Sequence, residues 1–260
     1  HHQLTADFAN KFPGILWLHD IRLTGLYLSR IIGKGDPDQM IRAIRRLLAT
    51  CYPHLDIGST YSYDLLNALW YVQHPVYMSY PLASRAQAII VHSRHARRLL
   101  ELDVPPHAPL PPIAVLKLAC PATFNPSPDI REDRLLVSFG HLNHSKAVEL
   151  ILDAFAPLAR EWQAQLAFVG SIVSDIEVSQ YRRQAEKLGI GNAVQFTGYV
   201  EPKEYDRWLA RATCAIQLRR YSNGESSAAI SDAWAAHLPV ITNIASSLEE
   251  PDETLIKTSP

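Results

Sequence analysis

From residue 135 to residue 242 the chain alternates short apolar runs with longer segments whose apolar positions recur every three or four residues. Runs of four or five apolar residues bounded by glycine or polar residues read as buried strands, and the longer period reads as helix. Leu135–Phe139 is a predicted strand, followed by a predicted helix over Val148–Trp162 that Pro157 is expected to kink. Gln165–Val169 is a strand ending at Gly170, and residues 176–188 form a helix stopped by Gly189. Residues 194–196, 203–210, 214–218, 228–236 and 240–242 continue the alternation. Strand and helix in succession predict a parallel sheet with crossover helices, a Rossmann-like half. Ligands of such sheets collect at the carboxyl ends of the strands.

The first half follows the same pattern less cleanly. Ile15–Leu18 is a short strand ending in His19-Asp20, and Ala88–Val91 a strand ending in His92-Ser93. Residues 40–50 form a basic amphipathic helix and residues 95–102 a second helix. Between the halves, residues 104–128 hold Pro105, Pro106, Pro109, Pro111, Pro112, Pro121, Pro126 and Pro128. So many prolines exclude a central strand or a continuous helix, and the domain boundary is expected there, although residues 113–118 can be a short strand. The expected domains are 1–128 and 129–260. The chain opens on a helix-like segment and a strand, without the glycine-rich strand–loop–helix that commonly starts a Rossmann domain. It stops at Leu255-Ile256-Lys257, next to another strand-like segment. Both ends therefore read as truncated or as a trimmed variant.

Composition narrows the class. The 260 residues are 47% hydrophobic and 20% charged with a formal net charge of −1, which suits two globular domains and gives no overall pull toward nucleic acid. Cys51, Cys120 and Cys214 lie far apart, with neither a disulfide framework nor a zinc spacing, so a reducing cytoplasm is expected. His54, Asp56, His74 and His107 have no metal-ligand spacing, and no metal is predicted. No apolar run reaches the ~18–20 residues of a membrane span.

The chemistry concentrates at Gly224-Glu225-Ser226-Ser227, between the run at 214–218 and the helix at 228–236. A helix start exposes backbone N–H groups and the positive end of its dipole, which favours phosphate. The same serines and acid also suit a plain helix cap. Asp232 stands seven residues past Glu225, two helical turns on, so the carboxylates are roughly 10 Å apart. An anion-binding helix start flanked by two hydroxyl-binding carboxylates suits a nucleotide sugar; for Asp232 a local salt bridge is the alternative. Lys146, just ahead of the helix at Val148, is either a solvated lysine or a point charge for a diphosphate.

Five segments together resemble the retaining glycosyltransferases of the GT-B fold, family four (glycosyl transferases group 1) of bacterial sugar transferases. They are Pro13-Gly14-Ile15-Leu16-Trp17-Leu18-His19-Asp20, Ala88-Ile89-Ile90-Val91-His92-Ser93, Phe139-Gly140-His141 through Lys146, Phe196-Thr197-Gly198-Tyr199-Val200, and Gly224-Glu225-Ser226 through Pro239-Val240-Ile241. The resemblance runs from about residue 12 to residue 257. It implies an α/β fold of two Rossmann-like domains whose parallel sheets face an interdomain cleft. The family usually has two glutamates with seven residues between them; here Asp232 takes the second place, and Gly224 takes the first with Glu225 one residue later. Where the family often has arginine after the first glycine of this half, the chain has His141.

The resemblance implies transfer of a hexose from a nucleotide-diphosphate sugar to an acceptor hydroxyl, with retention and without an essential metal or cofactor. Domain 129–260 would bind the donor through Gly140, His141, Lys146, Gly198, Tyr199, Val200, Arg219 or Arg220, Gly224, Glu225, Ser226, Ser227 and Asp232. His19, Lys146 and Glu225 are the expected catalytic residues. Domain 1–128 would meet a sugar, glycan or lipid-linked acceptor through His19, Asp20 and Ser93. The basic helices carrying Arg42, Arg45 and Arg46, and Arg94, Arg97 and Arg98, could touch an anionic acceptor or the inner membrane surface, though solvated faces are the default. A degenerate GT-B scaffold subunit and a nucleotide-sugar epimerase of the same fold are the alternatives.

Overall fold

A computed structural model describes residues 2–31, 36–55, 76–118, 130–243 and 255–258. Cys120, His74, Asp56 and the end of the proline-rich stretch lie outside the described residues. The chain divides into two compact units, His1–Lys117 with Asn223–Ser226, and Leu118–Ser222 with Ser227–Pro260. The main division thus falls inside the proline-rich stretch, and one four-residue loop crosses over.

The first unit is built from α1 (His2–Lys11), β1 (Ile15–Leu18), α2 (Thr24–Leu28), α3 (Pro37–Cys51), α4 (Tyr80–Ala83), β2 (Ala88–Val91), α5 (Arg94–Leu102) and β3 (Ile113–Val115). Its strands form a parallel sheet in the order β1-β2-β3. Local chemistry starts the helices. The Asp36 carboxylate accepts from the Gln39 amide at the start of α3, with Pro37 in the first turn where no N–H is needed. Ser93 does the same for α5 through the Ala96 amide. Ile44 and Leu48 bury one side of α3 while Arg42 and Arg46 stay exposed, as the amphipathic pattern requires.

One buried carboxylate organises this unit. Asp103, 4% exposed, closes α5 and receives the backbone amides of Tyr77, Met78, Ser79 and Tyr80 and the hydroxyls of Ser79 and Tyr52. Burial above all, then the Asp103 charge and its hydrogen bond, pushes the Tyr52 phenol well above its ordinary range.

The second unit contains β4 (Leu135–Phe139), α6 (Val148–Trp162), β5 (Gln165–Val169), α7 (Asp175–Lys187), β6 (Val194–Gly198), α8 (Pro202–Arg211), β7 (Cys214–Gln217), α9 (Ala228–Ala235), β8 (Val240–Asn243) and β9 (Leu255–Thr258). Its six-stranded sheet is parallel throughout, in the order β6-β5-β4-β7-β8-β9. Period-2 alternation sends Val137, Phe139, Ala167 and Ala215 to a layer with Trp208, Leu209, Ile230 and Ala233 of α8 and α9. Leu166, Phe168 and Ile216 face the other way, onto Ile151, Leu152 and Phe155 of α6 and Tyr181 of α7. Helices cover both faces, so strands hydrophobic on both sides are stable here, each large buried side chain contributing roughly 1.5–3 kcal/mol.

Gly170 shows how tightly the strand ends meet: a Cβ there, at φ +148°, would lie 2.2 Å from the Gly140 carbonyl oxygen. No helix among the described residues is long and apolar enough to cross a membrane.

Candidate functional site

In the second unit the strand order descends from β6 to β4 and then ascends from β7 to β9, so the topology switches between β4 and β7. At such a switch the connections leave in opposite directions and open a crevice beyond the carboxyl ends of the strands. The residues at that point come from three strand ends. Gly140 follows β4, and a 3₁₀ turn, His144–Lys146, comes after it. The Asn143 carboxamide oxygen accepts from the Ser145 amide and hydroxyl, which fixes the turn.

Lys146 is 4% exposed. Its Nζ donates to the Phe139 carbonyl at 2.7 Å and to Gln217 Oε1 at 3.0 Å, bridging the last residues of β4 and β7 across the switch. A solvated lysine is thereby excluded.

Arg219 and Arg220 leave β7 over the same turn. Arg219 Nη1 donates to Ser145 Oγ at 3.0 Å, while its backbone amide and carbonyl pair with the Asn243 carboxamide. Arg220 is occupied by Glu149 at 2.6 Å. Of the two, Arg219 lies beside Lys146's turn, and Arg220 closes the start of α6. His141 is exposed next to Gly140.

α9 begins where β7 hands the chain back. Ser227 occupies its N-cap with extended backbone, and its side chain makes no capping bond, so the first-turn amides carry no side-chain cap. Among the described residues Asp232 does not form the salt bridge that sequence left open. Its Oδ2 accepts from the Tyr205 hydroxyl at 2.9 Å. Burial raises its carboxyl above the ordinary value of 3.8; the Tyr205 hydrogen bond opposes this and the Asp206 charge adds to it. Gly198 ends β6 and Tyr199 is exposed, whereas Val200 packs inward on the core.

Gly224, Glu225 and Ser226 belong to the first unit, and Ser227 to the second. The Asn223 carbonyl accepts from the amides of Ile21 and Arg22 at 2.6 and 3.0 Å. Gly224 has φ +82°, and a Cβ there would sit 2.5 Å from Ile21 Cγ1 and 3.3 Å from Leu99 Cδ1. Packing against buried Ile21 therefore demands glycine here. Gly224→Ala combines left-handed strain with overpacking and is expected to cost about 2–4 kcal/mol, read as a lower denaturant midpoint. Glu225 turns back on its own loop, Oε2 accepting from the Asn223 amide at 2.6 Å.

His19 and Asp20 are exposed at the end of β1 and line a pocket of about 550 Å³ with Trp17, Arg22, Leu26 and residues of α1. Ser93 is placed differently from its expected acceptor-side role: it is 2% exposed, and its hydroxyl caps α5. Gln217, Tyr205 and His92 were not singled out from sequence as site residues. A buried glutamine closing an apolar strand and a histidine at a strand end were the available signals. Among the described residues no group of three His, Cys, Asp or Glu side chains could hold a metal ion.

Residues 122–250 match the family described as glycosyl transferases group 1. This stretch carries a group 1 glycosyltransferase domain. Gly140, His141, Lys146, Gly198, Arg219, Glu225 and Asp232 fall inside the group 1 domain, and His19, Asp20 and Ser93 outside it. No curated protein sequence matches the chain. Among solved structures, sucrose-phosphate synthase from Thermosynechococcus elongatus superposes with a TM-score of 0.64 at 17% identity, over 99% of this chain and 59% of that one. HepE from Anabaena, solved with UDP and glucose, gives 0.61 at 16% identity, over 99% of this chain and 61% of that one. The pneumococcal O-GlcNAc transferase GtfA, solved with UDP and GlcNAc, gives 0.56 at 16% identity, over 68% and 35%. The chain spans about three fifths of the length of the first two. What it shares with them is the GT-B glycosyltransferase fold.

Proposed function

We propose that the protein is a glycosyltransferase that moves a hexose from a nucleotide-diphosphate sugar to an acceptor hydroxyl, retaining the anomeric configuration without a metal. The observation that carries this reading is the buried Lys146 ammonium bridging Phe139 and Gln217 at the β4/β7 switch of a group 1 domain. A cation at the carboxyl ends of these strands attracts a diphosphate, and the start of α9, where the Ser227 side chain makes no capping bond, offers N–H groups to it. The solved structures of the same fold that hold UDP with a sugar support a nucleotide sugar as the donor class.

In the proposed reaction the bond between the sugar's anomeric carbon and the diphosphate oxygen breaks, and the nucleoside diphosphate leaves with the electron pair. Lys146, with Arg219 or His141 beside it, offsets the charge that develops on the leaving oxygen. The acceptor oxygen bonds to the anomeric carbon on the same face, and its proton passes to the departing phosphate. Glu225 orients the sugar or its phosphate, Asp232 the ribose hydroxyls, and the Gly198-Tyr199-Val200 backbone faces the base. His19 and Asp20 serve the sugar and the acceptor.

Calorimetry with UDP, GDP and ADP tests the reading. One of them is expected to bind, and binding should be followed by hydrolysis or transfer from the corresponding sugar. Silence with all three removes the donor pocket; binding without turnover would leave a scaffold subunit. Asp232 adds a pH signature. As an ionised acceptor for ribose hydroxyls it works only above its raised pKa, so affinity is expected to fall on acidification before the ordinary carboxylate value of 3.8 is reached. Asp232→Asn should weaken binding at neutral pH and flatten that part of the profile, measured against the same diphosphate.

A further inference from the structure

His92 directly follows β2 with its ring buried, 4% exposed. Its Nδ1 lies 3.0 Å from the Leu116 carbonyl oxygen and its Nε2 2.8 Å from Nδ1 of His19. These two contacts determine where the protons are. A carbonyl oxygen only accepts, so Nδ1 of His92 carries a proton. A neutral imidazole has one N–H, so Nε2 of His92 accepts, and the shared proton belongs to His19 Nδ1. By the same rule the Nε2 of His19 is left as a bare lone pair. That nitrogen makes no hydrogen bond among the described residues, and the His19 side chain is exposed at the pocket. Trp17 stacks on His19, centroids 6.0 Å apart and planes 10° apart, and lies 5.7 Å from His92, so packing holds both rings.

We propose that His92 is a positioning residue that locks His19 in the Nδ1–H tautomer, so that His19 Nε2 accepts a hydrogen bond from a hydroxyl group of the bound sugar. The partner carbonyl, fixed by the backbone at Leu116, sets the direction of the whole relay. The consequence is selective. A lone pair receives O–H donors, whereas carboxylate or phosphate oxygens, which only accept, find no proton there. Left to itself a histidine side chain favours the opposite, Nε2–H tautomer, which would present a donor instead. The role assigned to the hydroxyl rests on the transferase reading above; the tautomer does not.

Long-range ¹H–¹⁵N correlation spectra of the full chain, labelled at histidine and recorded where both rings are neutral, test this directly. His19→Gln and His92→Phe assign the signals. The expected result is Nδ1–H for both rings in the unaltered chain and reversion of His19 to Nε2–H in His92→Phe. A His19 ring that is Nε2–H in the unaltered chain, or a tautomer unmoved by His92→Phe, overturns the proposal. Should His92→Phe fail to fold, the unaltered chain alone decides. Silence in the nucleotide titration would sink the transferase reading and leave the tautomer result standing, so the two failures are distinguishable.

Discussion

Asp103→Ala is expected to destabilise the first unit by at least about 4 kcal/mol, the largest stability loss of any single change considered. Six donors end on that carboxylate: Tyr77 and Met78 amides at Oδ1, and the Ser79 and Tyr80 amides with the Ser79 and Tyr52 hydroxyls at Oδ2. Ser79 is 0% exposed and Tyr52 2%, so water does not replace the lost acceptor. Each buried donor left unmet costs about 1–3 kcal/mol, and relaxation keeps the sum below simple addition. Asp103→Asn separates charge from shape. It keeps one acceptor oxygen but turns an NH₂ toward groups that are themselves donors, and a loss of about 2–3 kcal/mol is expected. Urea unfolding of the three proteins, followed by fluorescence, measures both. A loss under about 1 kcal/mol for Asp103→Ala would mean that the nest is solvated. The effect reaches toward the pocket, because the segment held by Asp103 in turn holds the residues after Asp20. The Tyr77 carbonyl accepts from the Leu23 amide, the Val76 carbonyl accepts from Arg22 Nη1, and the Arg22 guanidinium lies 4.4 Å over the Tyr77 ring.

What could be read from the sequence was whatever local pattern determines. Ile15–Leu18, Ala88–Val91, Leu135–Phe139 and Gln165–Val169 stand where apolar runs placed them; the last two are strands covered on both faces, which favours runs of apolar residues. Val148–Trp162 is the expected helix with Pro157 inside it. Elsewhere the ends moved by a few residues: the helix over 40–50 extends to Pro37–Cys51, where Asp36 caps it, and the strand at 113–118 is only Ile113–Val115. The short α2 and the His144–Lys146 turn gave no periodic signal, being about a turn or less in length. Long-range partners were illegible. The sequence left Lys146 as either a solvated lysine or a charge for a diphosphate, and its burial against Gln217, 71 residues on, is visible only in the structure. Asp103 was not singled out from sequence, and Gly224 was read only for the donor; the contacts that fix both appear when Tyr77–Tyr80 and Ile21 arrive beside them. Ser93 was expected on the acceptor side, whereas its hydroxyl fills the ordinary role of a serine ahead of a helix, a cap.

Lys146→Met is expected to abolish most donor turnover while leaving the fold nearly intact, and the contrast is the point of the substitution. Methionine matches the length of the lysine stem and fills the same buried space, so Val148 and the strand ends keep their packing. Deleting the ammonium leaves Gln217 Oε1 and the Phe139 carbonyl without that donor, but it also removes the cost of holding a dehydrated cation. These terms oppose each other, and a net stability change within about 2 kcal/mol is expected. Turnover has no such compensation. If the ammonium offsets charge on the leaving diphosphate, its loss should lower kcat by about 10²–10³, in line with the removal of one preorganised electrostatic contact. KM for the donor should change less, because the α9 amides and Asp232 remain. Lys146→Arg is not expected to restore activity: the planar guanidinium is larger than the ammonium and the site is closed by the Phe139, Gly140 and Gln217 backbone and side chains. Steady-state kinetics with the nucleotide sugar identified by calorimetry, run beside thermal unfolding, reads both quantities. Full turnover in a folded Lys146→Met protein would make the buried lysine a strut between β4 and β7, and would take from the transferase reading the observation on which it stands.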